Sequence, residues 1–303
     1  MNQAAMPPFL SFITFNRLGL NVKNLNRLLS GPEDFEMHII DSGSKDDTWE
    51  FIMTLKDERI KSKTRFPVNR GPIYAVNFNL ARRKPDQYFI TADSDVYIKT
   101  GNWISRFMEV FEAFPEVGLL GVMRDNPYPR YMPPVTPRCK DGTSYLELKN
   151  AQVGVSMDFI PGCLQFLRPG LINEIGYWSE ENGYGDAELS PRVVHYTPFK
   201  AGFVTSVEID MSQTISCDEC EGTEWCKLSR SVNHCCSLSR KSNVNDPFVK
   251  KSKQKYLDTF IELENGNRTA YCASVHDPDS RKNHVYNEKW ANENFNHYEK
   301  NTN

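Results

Sequence analysis

The feature that most constrains this chain is an alternation along residues 9–122 of short apolar runs with helix-length segments. Phe9–Phe15 (FLSFITF) is apolar and β-branched, and Leu18–Leu29 carries leucines at helical spacing. Phe35–Asp41 (FEMHIID) is a strand that ends on an acid, and Ser44, Asp46 and Asp47 supply cap-type residues before a helix over Trp49–Leu55. A weaker strand over Arg59–Phe66, a helix over Pro72–Arg83, a buried strand over Gln87–Ala92, an amphipathic helix over Trp103–Phe114 and an apolar strand over Val117–Val122 follow. Strands separated by helix-length segments favour right-handed crossovers, which predicts an α/β fold with a mostly parallel sheet flanked by helices. Such sheets bind ligands beyond the carboxyl ends of their strands. That places Thr14–Arg17, Asp41–Ser44 and Asp93–Asp95 along one edge.

Beyond this block, residues 124–150 are rich in proline and polar groups and read as a long loop, a candidate lid. Residues 152–190 restore strand-then-helix character, and after Met211 the chain turns to cysteines, then lysines, then a polar tail. The expected division is a larger domain over 1–211, with halves over 1–122 and 123–211, and a Cys-rich, basic C-terminal appendage over 212–303. With 39% hydrophobic and 25% charged residues in 303, the chain can bury a core. A net charge of −3 gives no global attraction to nucleic acid or anionic lipid, so polyanion binding would need a local patch. No apolar run reaches the roughly 18 residues of a membrane span. Met1–Pro8 lacks the build of a signal peptide. The expectation is a cytoplasmic protein (host cytoplasm if viral) with reduced thiols. The sequon at Asn267 is then a chance match, and no protein partner is inferred.

Asp93-Ser94-Asp95 follows an apolar strand, and two carboxylates so spaced can turn toward one hard cation. Mg²⁺ and Mn²⁺ take one or two protein carboxylates and complete their shells with water and substrate phosphates. A departing diphosphate needs that neutralisation. The competing reading is a solvated turn, because D-x-D alone is common.

Four N-terminal stretches stand in order: FITFNR (Phe12–Arg17), IIDSGSKDDT (Ile39–Thr48), NRGPIYAVN (Asn69–Asn77) and TADSDVYI (Thr91–Ile98). PGCLQFLRPGLINEIGYW (Pro161–Trp178) and GYGDAELSPRV (Gly183–Val193) continue the series. With these, residues 9 to about 210 resemble the GT-A (Rossmann-like) glycosyltransferases of the family 2 type, which use nucleotide sugars; the resemblance makes 1–211 the catalytic domain, 1–122 its nucleotide-binding half and 123–211 its acceptor-side half. The resemblance implies Thr14, Asn16 and Arg17 against the nucleotide, Asp41 facing a base, uracil in a UDP-sugar, and Asn69 and Arg70 nearby. It implies Asp93 at the ribose and metal, and Asp95 as a direct ligand of Mn²⁺ or Mg²⁺. Asp186 falls where the family places the base that deprotonates the acceptor, although Gly185 replaces the acid usual before it. One displacement of this kind inverts the anomeric centre. Glu188 is the alternative base; as a plain structural matter it is a helix-start acid, and Asp186 could equally be an N-cap. The family's third metal ligand is often a histidine after a late strand. Gly202–Met211 carries none, which leaves Glu208, Asp210 or, further on, His276, although an isolated histidine is more often a packing residue. Tyr177, Trp178 and Tyr184 either stack on substrate or, more commonly, pack a helix start. Cys163 reads as a small buried hydrophobe.

Cys217, Cys220, Cys226, His234 and Cys236 have the density of a structural Zn²⁺ site, with disulfides or free thiols as alternatives. Eight basic residues between Lys227 and Lys255 face a single acid, Asp246. Together they raise a DNA acceptor, a hydroxymethylated base as in phage DNA-modifying glycosyltransferases, beside a surface or lipid-linked glycan. A nucleotidyltransferase would need a Gly-rich phosphate loop, and FNRLGLN is a poor one. A zinc-stapled nucleic-acid-binding protein without catalysis leaves the N-terminal motifs unexplained.

Overall fold

β1 (Phe9–Thr14), β2 (Glu36–Asp41), β3 (Ile60–Arg65) and β4 (Phe89–Asp93) lie in the order β3-β2-β1-β4, each parallel to its neighbour. The helices between them are α1 (Leu18–Ser30), α2 (Thr48–Thr54) and α3 (Pro72–Leu80), as the alternation predicts. The computed structural model describes residues 6–123, 133–154, 158–211, 224 and 247–302. After β4 come β5 (Val96–Ile98), α4 (Trp103–Ala113), β6 (Val117–Val122), β7 (Val135–Lys140), β8 (Thr143–Leu148), β9 (Leu164–Leu167), α5 (Pro169–Ile175), α6 (Asp186–Tyr196), β10 (Lys200–Val204) and β11 (Ile209–Met211). Three helices close the described chain: α7 (Pro247–Glu264), α8 (Pro278–Asn283) and α9 (Glu288–Thr302).

The large sheet has nine strands in the order β3-β2-β1-β4-β9-β6-β10-β8-β7. Only β9 and β8 run against the rest, so the sheet is mixed but mostly of one direction. Adjacent side chains point to opposite faces. Leu10, Ile90 and Phe166 therefore pack with α1 and α4 in one apolar layer, while Phe9, Phe89 and Leu167 pack with α5 and α6 in the other. Central β6 is buried at every position. Edge strand β3 (IKSKTR) has no fully buried residue, and its lysines discourage pairing with another chain.

One expectation is corrected. Of the loop expected over 124–150, residues 135–148 form an antiparallel hairpin, β7–β8, that extends the sheet through β10. Asp141 and Gly142 at its turn have φ of 50° and 83°, as a two-residue turn of the right twist requires. The polar tail is helical, and Ala291, Asn294 and Phe295 of α9 are buried. Among the described residues no helix is long and apolar enough to cross a membrane.

Candidate active site

The carboxyl ends of β1, β2 and β4 converge. Thr14 is paired in register with Asp41, and Ile13 with Asp93. Asn16 and Arg17 then turn the chain into α1 with φ of 57° and 64°, left-handed values that are rare outside glycine. Asn21 holds this turn by donating to the carbonyls of Asn16 at 2.7 Å and Arg17 at 2.9 Å. The Asn16 amide donates to Ser44 Oγ at 2.7 Å, and its Oδ1 accepts from the Lys45 amide at 2.8 Å. Ser44 in turn donates its amide to Asp41 Oδ1 at 2.9 Å. The segments after β1 and β2 are thus laced into one floor.

Asp41 is fully buried. Its Oδ2 lies 3.3 Å from Arg65 Nε, yet it accepts no hydrogen bond of good alignment. Burial raises its carboxyl above the ordinary carboxylate range, opposed by the Ser44 hydrogen bonds and the Arg65 charge. A cavity of about 310 Å³ opens beside it, lined by Gly43, Ser44, Lys45, Arg65, Phe66 and Pro67. Across the rim, Asn69 Oδ1 accepts from the Gly71 amide at 2.8 Å, and exposed Arg70 lies over the Tyr74 ring. Gly71 has φ of 93°, and a Cβ there would come within 2.5 Å of the Tyr298 ring, so only glycine fits.

Asp93 and Asp95 flank buried Ser94, whose carbonyl accepts from Asn24 Nδ2 at 2.6 Å. Asp95 Oδ2 is held by Arg17 Nη1 at 2.8 Å. Asp95 thus already faces a cationic group, and Asp93 and Asp95 are hard oxygen donors of the kind a divalent ion takes. The other expected ligands do not join it. Among the described residues no group of three or more His, Cys, Asp and Glu forms a metal cluster. Glu208 is exposed, and Asp210, opposite Tyr97 on β5, pairs with Lys99 at 3.0 Å. His276 is turned away, with Nε2 against the Tyr74 carbonyl at 3.0 Å and its ring edge-on to Tyr74 and Phe78. Cys217, Cys220, Cys226, His234 and Cys236 lie outside the described residues.

Burial lowers the His276 pKa from 6.5 to about 4, with the Arg70 charge acting in the same direction. The unfolded chain therefore binds this proton more readily, and the histidine costs stability progressively as pH falls from about 6.5 to about 4. Urea midpoints for wild type and His276→Gln, compared from neutral pH down to about pH 4.5, are expected to converge with acidification. His38, held near 4 by its own burial, keeps part of the slope in both proteins. A midpoint difference independent of pH would show that His276 is not buried in its neutral form.

The acceptor side is tied to the same edge through β9. The Asp93 amide donates to the Cys163 carbonyl at 2.9 Å, and the preceding residue, Gly162, donates its amide to Asp186 Oδ2 at 2.7 Å. Asp186 Oδ1 accepts from the Ala187 amide at 2.9 Å. Asp186 is the first residue of α6, and Gly185, with φ of 61°, takes the cap position. The half-buried carboxylate is thus joined, through the Gly162–Cys163 peptide, to the backbone of Asp93. Glu188 does not. It is fully buried, with both oxygens bonded by Arg192 at 2.8 and 3.1 Å, which fits a structural ion pair and not a base.

Sequence reasoning passed over Glu180 and Glu181. Both are buried, and both are bound by the C-terminal segment. Glu180 accepts from Asn77 Nδ2, Ser274 Oγ, the Val275 amide and Tyr286 OH at 2.6 to 2.9 Å. Glu181 faces Arg268 in a two-pronged pair and accepts from the Asn287 amide. Adjacent acids just before a Gly-x-Gly-Asp run were the available signal. Tyr177 and Trp178 are core residues, Tyr184 stacks on Tyr256 at 4.8 Å, and Cys163 is buried, all matching the packing readings.

The sequence profile described as Glycosyl transferase family 2 matches residues 12–176, more than half of the chain. The chain belongs to Glycosyl transferase family 2. No curated protein matches it significantly. Among solved structures, S. aureus TarS 1-349 in complex with UDP is 16% identical, with a TM-score of 0.50 over 86% of this chain and 74% of that one. The mannosyltransferase PcManGT from Pyrobaculum calidifontis, in complex with GDP-Man and Mn²⁺, is 16% identical with a TM-score of 0.48. That alignment covers 66% of this chain and 57% of the mannosyltransferase. At such identities the likeness to TarS is one of fold. The family match ends at Gly176, ten residues before Asp186 (186 − 176), so the acceptor side rests on geometry alone.

Proposed function

We propose that this family 2 member is an inverting glycosyltransferase that moves a sugar from a UDP-sugar to a hydroxyl group with the help of Mn²⁺ or Mg²⁺. The observation that supports the reading is the hydrogen-bonded path from the Asp93 backbone amide through Cys163 and Gly162 to the Asp186 carboxylate, which ties the donor-side segment to the acceptor-side helix. Asp41, buried beside the cavity, would accept from the base, and Thr14, Asn16, Asn69 and Arg70 would line the nucleotide. The UDP seen with TarS supports uridine as the nucleoside. Asp95, with Asp93, would hold the cation, which when bound neutralises charge on the diphosphate. Asp186 takes the proton of the acceptor hydroxyl as its oxygen forms a bond to the anomeric carbon. The bond from that carbon to the phosphate oxygen breaks, and UDP leaves with the electron pair.

For the acceptor we take a carbohydrate or lipid-linked glycan. Of the basic stretch that had suggested DNA, Lys251 and Lys255 both bind Glu293, at 2.8 and 3.0 Å, and Lys255 is buried. One of its charges, that of Lys255, is thus spent inside the fold, while exposed Lys251 is paired at the surface. UDP release with Mn²⁺ from a panel of UDP-sugars, with and without hydroxymethylated DNA, tests both parts. Release from one sugar, indifferent to DNA and reduced about a hundredfold or more by Asp95→Ala, is expected. DNA-stimulated release would overturn the glycan acceptor. No release from any UDP-sugar by folded protein would overturn the donor assignment.

A further inference from the structure

We infer that helix α9 is a positioning element shared by the two halves of the site: one face of it joins the Asn69–Gly71 rim to the turn that starts α6, so that nucleotide binding at the rim and the placement of Asp186 are energetically coupled. The inference rests on the donor reading above and deepens it by assigning Asn294 and Tyr298 as the residues that carry the coupling.

Ala291, Asn294, Phe295 and Tyr298 recur at the three- and four-residue spacing that puts side chains on one stripe of a helix. Ala291, Asn294 and Phe295 are buried, and Tyr298 is half-buried. The stripe meets both motif segments. Asn294 Nδ2 donates to the Glu180 carbonyl at 2.6 Å, and a Cβ at Gly183 would stand 3.3 Å from the Asn294 amide group. Phe295 sits edge-on to Tyr74, with 5.0 Å between ring centroids, and Arg70 lies over the same tyrosine. One turn on from Asn294, the Tyr298 ring rests against Gly71. Residues 294 and 298 are about 6 Å apart along the helix axis, so a single turn of α9 reaches from the acceptor-side turn to the donor-side rim.

Core packing alone does not account for this face. A helix that only closes an apolar layer is served by apolar side chains, whereas this stripe carries an asparagine and a tyrosine. Asn294 uses both ends of its amide, since its Oδ1 accepts from Lys255 Nζ at 3.3 Å. Gly71 and Gly183 have φ of 93° and 68°, and both lack the Cβ that would press on α9. On another flank α9 is held by α7: Glu293 accepts from Lys251 and Lys255, and the Phe248 and His297 rings stack at 3.5 Å. Held on two sides, the helix passes a shift at one contact to the other instead of absorbing it. A nucleotide lying on Asn69 and Arg70 would fix the rim, and with it Tyr298. The free energy of local opening then rises in α9 and in the Gly183–Asp186 turn. Linkage makes the effect reciprocal, so loosening the helix weakens nucleotide binding.

Hydrogen exchange of the full chain, followed by mass spectrometry with and without saturating UDP and Mn²⁺, tests this in wild type, Tyr298→Ala, Tyr298→Phe and Asn294→Asp. Thermal melts confirm folding, and calorimetry gives UDP affinity. In wild type, UDP is expected to slow exchange about threefold or more over residues 288–298 and 183–189. Tyr298→Ala is expected to bind UDP about three- to tenfold more weakly and, at saturation, to lose the response at 183–189. Tyr298→Phe keeps the ring and should restore both. Asn294→Asp keeps the acceptor for Lys255 but not the donor to Glu180, so its response should stop at α9. If Tyr298→Ala does not fold, Asn294→Asp decides the question. A wild-type protein that binds UDP with no response at 183–189, or a response unchanged in the folded variants, overturns the coupling while leaving the donor reading intact. Absence of UDP binding by folded wild type overturns the donor reading itself.

Discussion

Asp186→Asn is expected to lower kcat for sugar transfer by about 10²–10⁴-fold while leaving the melting temperature and UDP affinity near wild type. The substitution is chosen for what it preserves. Asparagine Oδ1 can still accept from Gly162, whose amide lies 2.7 Å from the carboxylate, and only the contact from the adjacent Ala187 amide is lost. What disappears is a group able to take a proton from the acceptor at neutral pH. Glu188→Gln supplies the contrast. That carboxylate is enclosed with Arg192, which also donates to the Ile175 and Tyr177 carbonyls at 2.7 and 2.9 Å. Neutralising it leaves a buried guanidinium uncompensated, a loss of about 3–5 kcal/mol of stability. Asp186 variants should therefore fail in turnover and Glu188 variants in folding. An Asp186→Asn enzyme retaining more than about a tenth of wild-type kcat would falsify the base assignment.

The donor half of this site was legible because its signals are local. Asp41 ends β2 and Asp93 ends β4, and parallel register alone brings both beside Thr14. Apolar runs that stop on an acid announce such an edge, and the elements over residues 9–122 fall within a few residues of their expected bounds. The acceptor half depends on long-range contacts. Glu188 and Asp186 stand two residues apart on one helix, and only tertiary structure shows that Arg192 captures one while Gly162 orients the other. His276 was an attractive ligand in sequence because histidines are few, yet a backbone carbonyl 202 residues away claims its ring nitrogen. The hairpin was hidden for another reason. Prolines around residues 127–137 argue for a loop, and the Asp141-Gly142 turn that outweighs them is only two residues long.

The C-terminal segment is expected to be inseparable from the acceptor motif, and Arg268→Met should cost about 3–5 kcal/mol of stability. Arg268 binds Glu181 through Nη1 at 2.5 Å and Nη2 at 3.1 Å, and its Nε reaches Glu262 at 2.9 Å. Both side chains of the Arg268–Glu181 pair are 2% exposed, so screening by solvent is weak. Methionine fills much of the arginine's volume but leaves the Glu181 carboxylate buried with the Asn287 amide as its remaining hydrogen-bond donor among the contacts described. An unpaired buried charge is the costly outcome, more so than the absence of the pair. Adding Glu181→Gln to Arg268→Met should therefore recover at least about 1–2 kcal/mol, measured as the interaction energy in a double-mutant cycle of urea denaturation. The same loss should reach catalysis. Glu181 lies five residues before Asp186 (186 − 181), and its neighbour Glu180 is fastened to Ser274, Val275 and Tyr286 of the same segment. Freed from these anchors, the Gly183–Gly185 turn that starts α6 loses the support that aims Asp186 at the edge of the sheet. Additive single and double effects, or a stability loss below about 1 kcal/mol, would make the C-terminal helices a separable appendage instead.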